Sequence, residues 1–227
     1  MKYAILLSTI FLLCFGACIK DRSGTIATTI IPPNAQMLAD YNFKPGSYWI
    51  FKDSVTGHTD SAYVSSVSSY LTYESCVLIQ NMPEHQADVI TITVNNDNNN
   101  DSENWTITLL DTNCNISCLL YTDSAYTFTG YRLFSYPIQI GQVKQPMGCV
   151  LYADSGYVTT IYDNYTLNNA SYSNTAAIYE TEYASLYNNY YDWFYMNSQA
   201  GFVKVVLNHP NLGVNRVLEL LRYHLVK

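Results

Sequence analysis

Residues able to do chemistry are thinly spread along this 227-residue chain. Its four histidines, His58, His85, His209 and His224, are scattered, and none stands at metal-ligand spacing from another. There is no Gly-x-Ser-x-Gly elbow, no His-Glu-x-x-His pair and no Gly-rich phosphate loop. The local sequence therefore predicts no catalytic residue and no enzyme. The best ion-binding stretch is Asp97-Asn98-Asn99-Asn100-Asp101-Ser102-Glu103, where Asp97, Asn99 and Asp101 place oxygen ligands at alternate positions, as calcium requires. The pattern then breaks, with Ser102 where the tight turn needs glycine and Thr108 where a bidentate glutamate belongs. A polar hairpin loop with no cofactor is the expectation, and calcium is its alternative.

Cysteine chemistry depends on compartment, and the N-terminus sets the compartment. One early lysine, a mostly apolar run from Ile5 to Phe15 and small residues before Cys18 make a secretory signal, residues 1–17. Phe15-Gly16-Ala17-Cys18 resembles a bacterial lipobox, with Phe15 where leucine is usual. That resemblance implies acyl chains (palmitate among them) on Cys18, each buried methylene adding roughly 0.8 kcal/mol of membrane attachment. Beyond the anchor, Cys76, Cys114, Cys118 and Cys149 form an even set in an oxidising compartment, which predicts two disulfides and allows three pairings. Cys114 to Cys118 would close a tight hairpin loop, leaving Cys76 with Cys149. If 114–118 were instead one extended strand, the two Cα atoms would stand ~13 Å apart and could not bond. Zinc lacks a Cys-x-x-Cys pair to bind.

The 22 tyrosines are the most unusual feature. Eleven fall between Tyr152 and Tyr195, in a stretch with Trp193 and five acidic residues but no basic one. Tyrosine joins an apolar ring to a hydroxyl with little entropy to lose, which suits sugar-stacking and protein-binding surfaces. It is also a favoured residue of half-buried sheets. If a binding surface exists, Tyr190, Tyr191, Trp193 and Tyr195 are its expected members.

After removal of residues 1–17, ten basic residues face eighteen acidic ones. No Lys or Arg occurs from Asp53 to Tyr131 or from Gln145 to Val203. So anionic a surface repels phosphate backbones and excludes nucleic acid as a partner. Membrane contact is expected through the lipid alone.

The elements that must position these residues are short and alternating. Residues 18–39 are polar, Thr-rich and broken by Pro32-Pro33, and predict a lipidated tether. From 40 to 227 the chain reads as one β-rich domain. Ile90, Ile92 and Val94 alternate with Thr91 and Thr93, and Trp105, Ile107 and Leu109 alternate with Thr106 and Thr108. Hairpin signals recur at Thr56-Gly57-His58, Asn95–Asp101, Asp154-Ser155-Gly156, Asn168-Asn169 and Asn188-Asn189. About ten short strands predict an all-β fold: one antiparallel barrel, half-barrel or sandwich. Tyr179, Tyr183, Tyr187, Tyr191 and Tyr195 recur every fourth residue, a spacing that keeps one face of a strand. The tail from Val217 to Tyr223 fits either a short helix or a closing strand.

Gly46 to Phe51, Gly201-Phe202-Val203-Lys204 and Glu219-Leu220-Leu221-Arg222-Tyr223 resemble the opening and closing segments of uncharacterised lipoproteins of Bacteroidetes-type bacteria. The likeness covers the two ends, about a quarter of the chain. It implies a lipid-anchored β-domain in the cell envelope, at the outer membrane, with a strand for the tail and no defined activity. It also implies glycosylation at Asp-Ser motifs, which here means Ser54, Ser61 and Ser124.

Taken together, these residues favour a non-catalytic envelope lipoprotein that binds a glycan or an envelope protein through an aromatic surface. The alternative is a carrier holding a small apolar ligand inside a lipocalin-like or half-barrel fold. A hydrolase whose site assembles only in three dimensions is the third class.

Overall fold

The computed structural model describes residues 30–73, 84–96, 102–111, 113–122, 125–141, 154–181, 191–210 and 213–227. Alternation sets the architecture, which is all-β. Along β3 (Glu84–Asn96), Ile90, Ile92 and Val94 are fully buried, while Thr91 and Thr93 between them are half-buried. Along β4 (Ser102–Leu110), Trp105, Ile107 and Leu109 face the core and Thr106 and Thr108 face away. Full burial of each such side chain stabilises by roughly 1.5–3 kcal/mol. Period-2 patterning therefore leaves each strand one orientation.

The remaining strands are β1 (Tyr48–Asp53), β2 (Thr59–Tyr73), β5 (Asn113–Thr122), β6 (Ala125–Ser135), β7 (Asp154–Leu167), β8 (Ala170–Thr181), β9 (Tyr191–Asn197), β10 (Gly201–His209) and β11 (Val214–His224). Neighbours in the sheet follow chain order, and β1 pairs with both β2 and β11, so the sheet curls into a barrel. Every pairing is antiparallel except the seam between β6 and β7. That seam is parallel and spans only Tyr131↔Asp154 and Arg132↔Ser155. The tail, open between helix and strand on periodicity alone, is strand β11, as the resemblance implied.

Among the described residues the barrel interior is mainly apolar, with buried Asp53, Asp60, Asp192 and Arg216 among its polar members, and β2 turns serines outward. Among the described residues no helix is long and apolar enough to cross a membrane.

Two segments depart from expectation. Residues 31–39, read as tether, belong to the fold. Ile31 pairs with β3 through the Gln86 N–H, 2.9 Å from its carbonyl, and the Asn34 N–H meets the Asp111 carbonyl. Helix α1 (Ala35–Tyr41) follows, its N-terminus capped by Asn34 Oδ1, which accepts from the Gln36 and Met37 N–H groups. Met37 and Tyr41 are buried, and α1 packs at one end of the barrel with the Tyr41 ring 5.0 Å from Phe134. Composition missed this because Pro-Pro precedes a helix of only seven residues.

The second departure is 114–118, expected as a tight loop. Those residues lie inside β5, where Cys114 pairs with Leu109 and Cys118 with Trp105. An extended strand holds them ~13 Å apart, which rules out the Cys114–Cys118 bridge. Cys114 is buried in the core; Cys76 and Cys149 lie outside the described residues.

From α1 inward, rings contact one another in series. Phe43 meets Trp49 at 5.2 Å, Trp49 meets Phe202 at 6.1 Å, and Phe202 meets both Trp105 at 5.5 Å and Phe194 at 6.5 Å. The Trp49 indole N–H donates to the Ala200 carbonyl at 2.7 Å, tying β1 to the β9–β10 turn. Gly201 follows with φ +73°, and a Cβ there would stand 3.0 Å from the Trp49 ring, so this position needs glycine.

Candidate site on the outer aromatic face

On β9 the inward row is Asp192, Phe194 and Met196, and the outward row is Tyr191, Trp193 and Tyr195. On β8, Tyr179 pairs directly with Trp193, and Ala177 with Tyr195, so both share the outer face. Ring-to-ring contacts join this face into one ladder. Tyr191 stands 6.4 Å from Tyr179, Tyr179 is 4.8 Å from Trp193, and Trp193 is 6.2 Å from Tyr195. The ladder continues to Tyr165, 5.2 Å from Tyr195, and ends at Tyr162, a further 5.3 Å along. Its two ends are the most open, with Tyr191 39% and Tyr162 37% exposed. Tyr157, opposite Tyr179 on β7, is also exposed on this face.

The lower part of the ladder rests on the β7–β8 hairpin. Asn168 and Asn169 take φ values of 49° and 63°, the left-handed pair of a type I′ turn. The hairpin lies against the neighbouring strands. Tyr165 packs on Tyr195, the Asn168 amide donates to the Leu220 carbonyl at 3.1 Å, and Asn197 Nδ2 donates to the Ser173 carbonyl. Tyr172, paired with Tyr165 on the same side of the hairpin, is buried there.

Burial raises the Tyr165 hydroxyl pKa to about 12, with Tyr195, Glu219 and Tyr162 adding to the shift. Burial raises Tyr195 as well, with Tyr162 adding. Both hydroxyls stay protonated at neutral pH and act as donors and acceptors. Beside the ladder on β10 and β11, Lys204 Nζ meets Glu219 Oε1 at 2.9 Å. That cation is already engaged.

Three of the four expected surface residues, Tyr191, Trp193 and Tyr195, are thus brought together; Tyr190 lies outside the described residues. Sequence reasoning missed Tyr162, Tyr165 and Tyr179 as partners. The every-fourth-residue repeat did contain Tyr179, but only the hairpin's lie over β9 brings Tyr162 and Tyr165 alongside.

Other expected sites are not assembled in this way. Asp97, Asn99 and Asp101 lie outside the described residues, and the rest of a calcium loop would have to run through β4, which begins at Ser102 and includes Thr108. Cys18 and Ser124 are also outside the described residues. Ser54 is exposed in the β1–β2 turn, and Ser61 is half-buried on β2. His58 is exposed in that turn, and the exposed His224 packs its ring 5.8 Å from Tyr48.

A second cluster was not legible locally. At the barrel end away from α1, Asp53, Asp60, Asp192 and Arg216 are all buried. Arg216 Nη2 bonds Asp60 Oδ2, and Arg216 Nε lies 4.0 Å from Asp53 Oδ2. Leu207 pairs with both Asp192 and Arg216, placing those two on one inner row. Asp53 Oδ1 also accepts from the Val55 and Val217 N–H groups, at 2.9 and 3.3 Å. The cluster ties β1, β2 and β11 together. Among the described residues no group of three or more His, Cys, Asp or Glu side chains is placed to hold a metal.

The chain matches no protein-family model, no curated protein and no solved structure.

Proposed function

We propose that this chain is a non-catalytic lipoprotein of a bacterial outer membrane, anchored through Cys18, that binds a glycan or an envelope protein with its outer aromatic face. The ladder from Tyr191 to Tyr162 carries the reading. Cross-strand aromatic pairs of this kind contribute only about 1 kcal/mol each to a sheet, whereas a binding surface needs large, rigid, amphipathic side chains presented together. The lipobox-like Phe15 to Cys18 and the resemblance of the terminal segments to those of envelope lipoproteins support the location.

The test has two arms. Cys18→Ser should move the protein from the membrane pellet to the soluble fraction. Mature lipoprotein should co-sediment with envelope fragments stripped of their own lipoproteins, and the Trp193→Ala/Tyr191→Ala variant should lose that binding while keeping its far-UV circular dichroism. Undiminished binding by the folded double variant would remove the aromatic face from the function.

A further inference from the structure

We infer that the outer ladder is a track for a neutral, linear oligosaccharide, laid lengthwise so that successive sugar rings stack along Tyr191, Trp193 and Tyr195 towards Tyr162. This rests on the binding reading above and narrows its ligand. Shape is the first argument. The rings follow one another in a single file, each 4.8–6.4 Å from the next. A globular partner wants a broad patch of about 800 Å² on each side, with its anchors clustered at the centre. A file of rings matches an extended chain instead.

Surface chemistry is the second argument. Five of the six rings are tyrosines, so each carries a flat apolar face and a hydroxyl at its edge. A pyranose presents the same duality, with C–H faces and equatorial hydroxyls. Thr160 on β7 and Asn208 on β10 flank the file with further hydrogen-bonding groups.

Charge decides between neutral and anionic chains. No Lys or Arg occurs from 145 to 203, and Lys204 at the flank is held by Glu219. Asp163, beside Tyr162, is exposed. Among the described residues the next cation on the row of Tyr195 is Lys52, on β1 beyond Glu219, so a uronate, sulfate or phosphate over the tyrosines would meet carboxylates first.

Rigidity favours binding too. Trp193 is held between Tyr179 and Tyr195, so little side-chain freedom remains to be lost.

The intact lipoprotein, kept in a detergent without a sugar headgroup, is to be tested against immobilised linear oligosaccharides from dimers to octamers. The neutral set comprises α- and β-linked glucans, mannans, galactans and xylans; uronic-acid and sulfated chains are the anionic set. Trp49 and Trp105 are fully buried, so acrylamide quenching of the accessible tryptophan emission reports Trp193. The expected result is binding to a neutral series that tightens about tenfold from dimer to hexamer, with Trp193 shielded from acrylamide. Trp193→Ala should weaken it about tenfold without unfolding the chain. Tighter binding of anionic chains, or binding of none, overturns the inference. If none binds while envelope co-sedimentation still depends on Trp193, the binding reading stands and its ligand is a protein. If that dependence is also lost, both fail.

Discussion

Strand β9 carries two rows of rings on opposite faces, and they are built from different residues. Inside, Phe194 joins Phe43, Trp49, Phe202 and Trp105, none of which has a hydroxyl. Their planes cross at 57–81°, the edge-to-face geometry of rings packed in three dimensions. Outside, the file is tyrosine with one tryptophan, and its planes differ by only 26–50°. The inner row fills space with rings that lack a hydroxyl, Tyr41 beside Phe43 being the exception; in the outer row every ring but Trp193 carries one, and the two end rings, Tyr191 and Tyr162, are exposed. The contrast separates what the fold needs from what the fold displays.

The contrast predicts a large asymmetry on truncation. Phe202→Ala should lower the unfolding free energy by about 3–5 kcal/mol, because a fully buried ring leaves a cavity among Trp49, Trp105 and Phe194. Trp193→Ala should cost only about 1 kcal/mol, the worth of a half-exposed aromatic contact. Urea titrations of both variants measure the gap. Equal losses would make the outer row structural and take away the ground for a binding surface.

The inner space has its own contrast, with an apolar end under α1 and a charged end at Arg216. Arg216→Met should cost about 3 kcal/mol, since it leaves Asp60 and its neighbours as buried carboxylates without their cation. Adding Asp60→Leu should restore part of that loss in the same titration. No recovery in the double variant would mean that Asp60 is not the group that needs the guanidinium.

Much of the barrel was legible because its strands announce themselves by alternation. Ile90-Thr91-Ile92-Thr93-Val94 and Trp105 to Leu109 each allow one orientation in a sheet with one wet face. Strand β5 was misread for another reason: Cys114, Ile116 and Cys118 do alternate with Asn113, Asn115 and Ser117, but the turn-favouring Asn and Ser and two cysteines four apart suggested a bridged loop. Its place comes from β4, which pairs with it along the whole run from Asn104 to Leu110. The core of the candidate site was read from composition, with Tyr191, Trp193 and Tyr195 in one Tyr-rich strand. Its extension to Tyr165 and Tyr162 depends on a hairpin folding against another strand's outer face, a long-range event with no local sign. The Arg216 cluster was hidden similarly, because its four members come from four strands.

Against Trp49 and Phe43, Gly201 tests how tightly the inner row is built. Gly201→Ala should destabilise by more than about 1 kcal/mol, through positive φ and collision with the Trp49 indole together. Trp49→Phe in the same background should recover part of the loss if the collision dominates, and none if the backbone does.

The smallest effect is expected from protons on the outer row. Tyr165 has an ordinary hydroxyl pKa of 10.0 when unfolded and about 12 in the fold, raised mainly by burial against Tyr195. A folded pKa above the unfolded one means that the native state keeps its proton where the unfolded chain loses it. The stability linked to this group is therefore fully present below pH 10 and is lost as pH rises from 10 through about 12. Tyr165→Phe removes that term, so the urea midpoint of the variant should fall less steeply over this window than that of the parent chain. The inner Phe and Trp rings contribute no such term. If Tyr165→Phe leaves the alkaline slope unchanged, the hairpin is not seated on Tyr195 in solution and the ladder stops at β9.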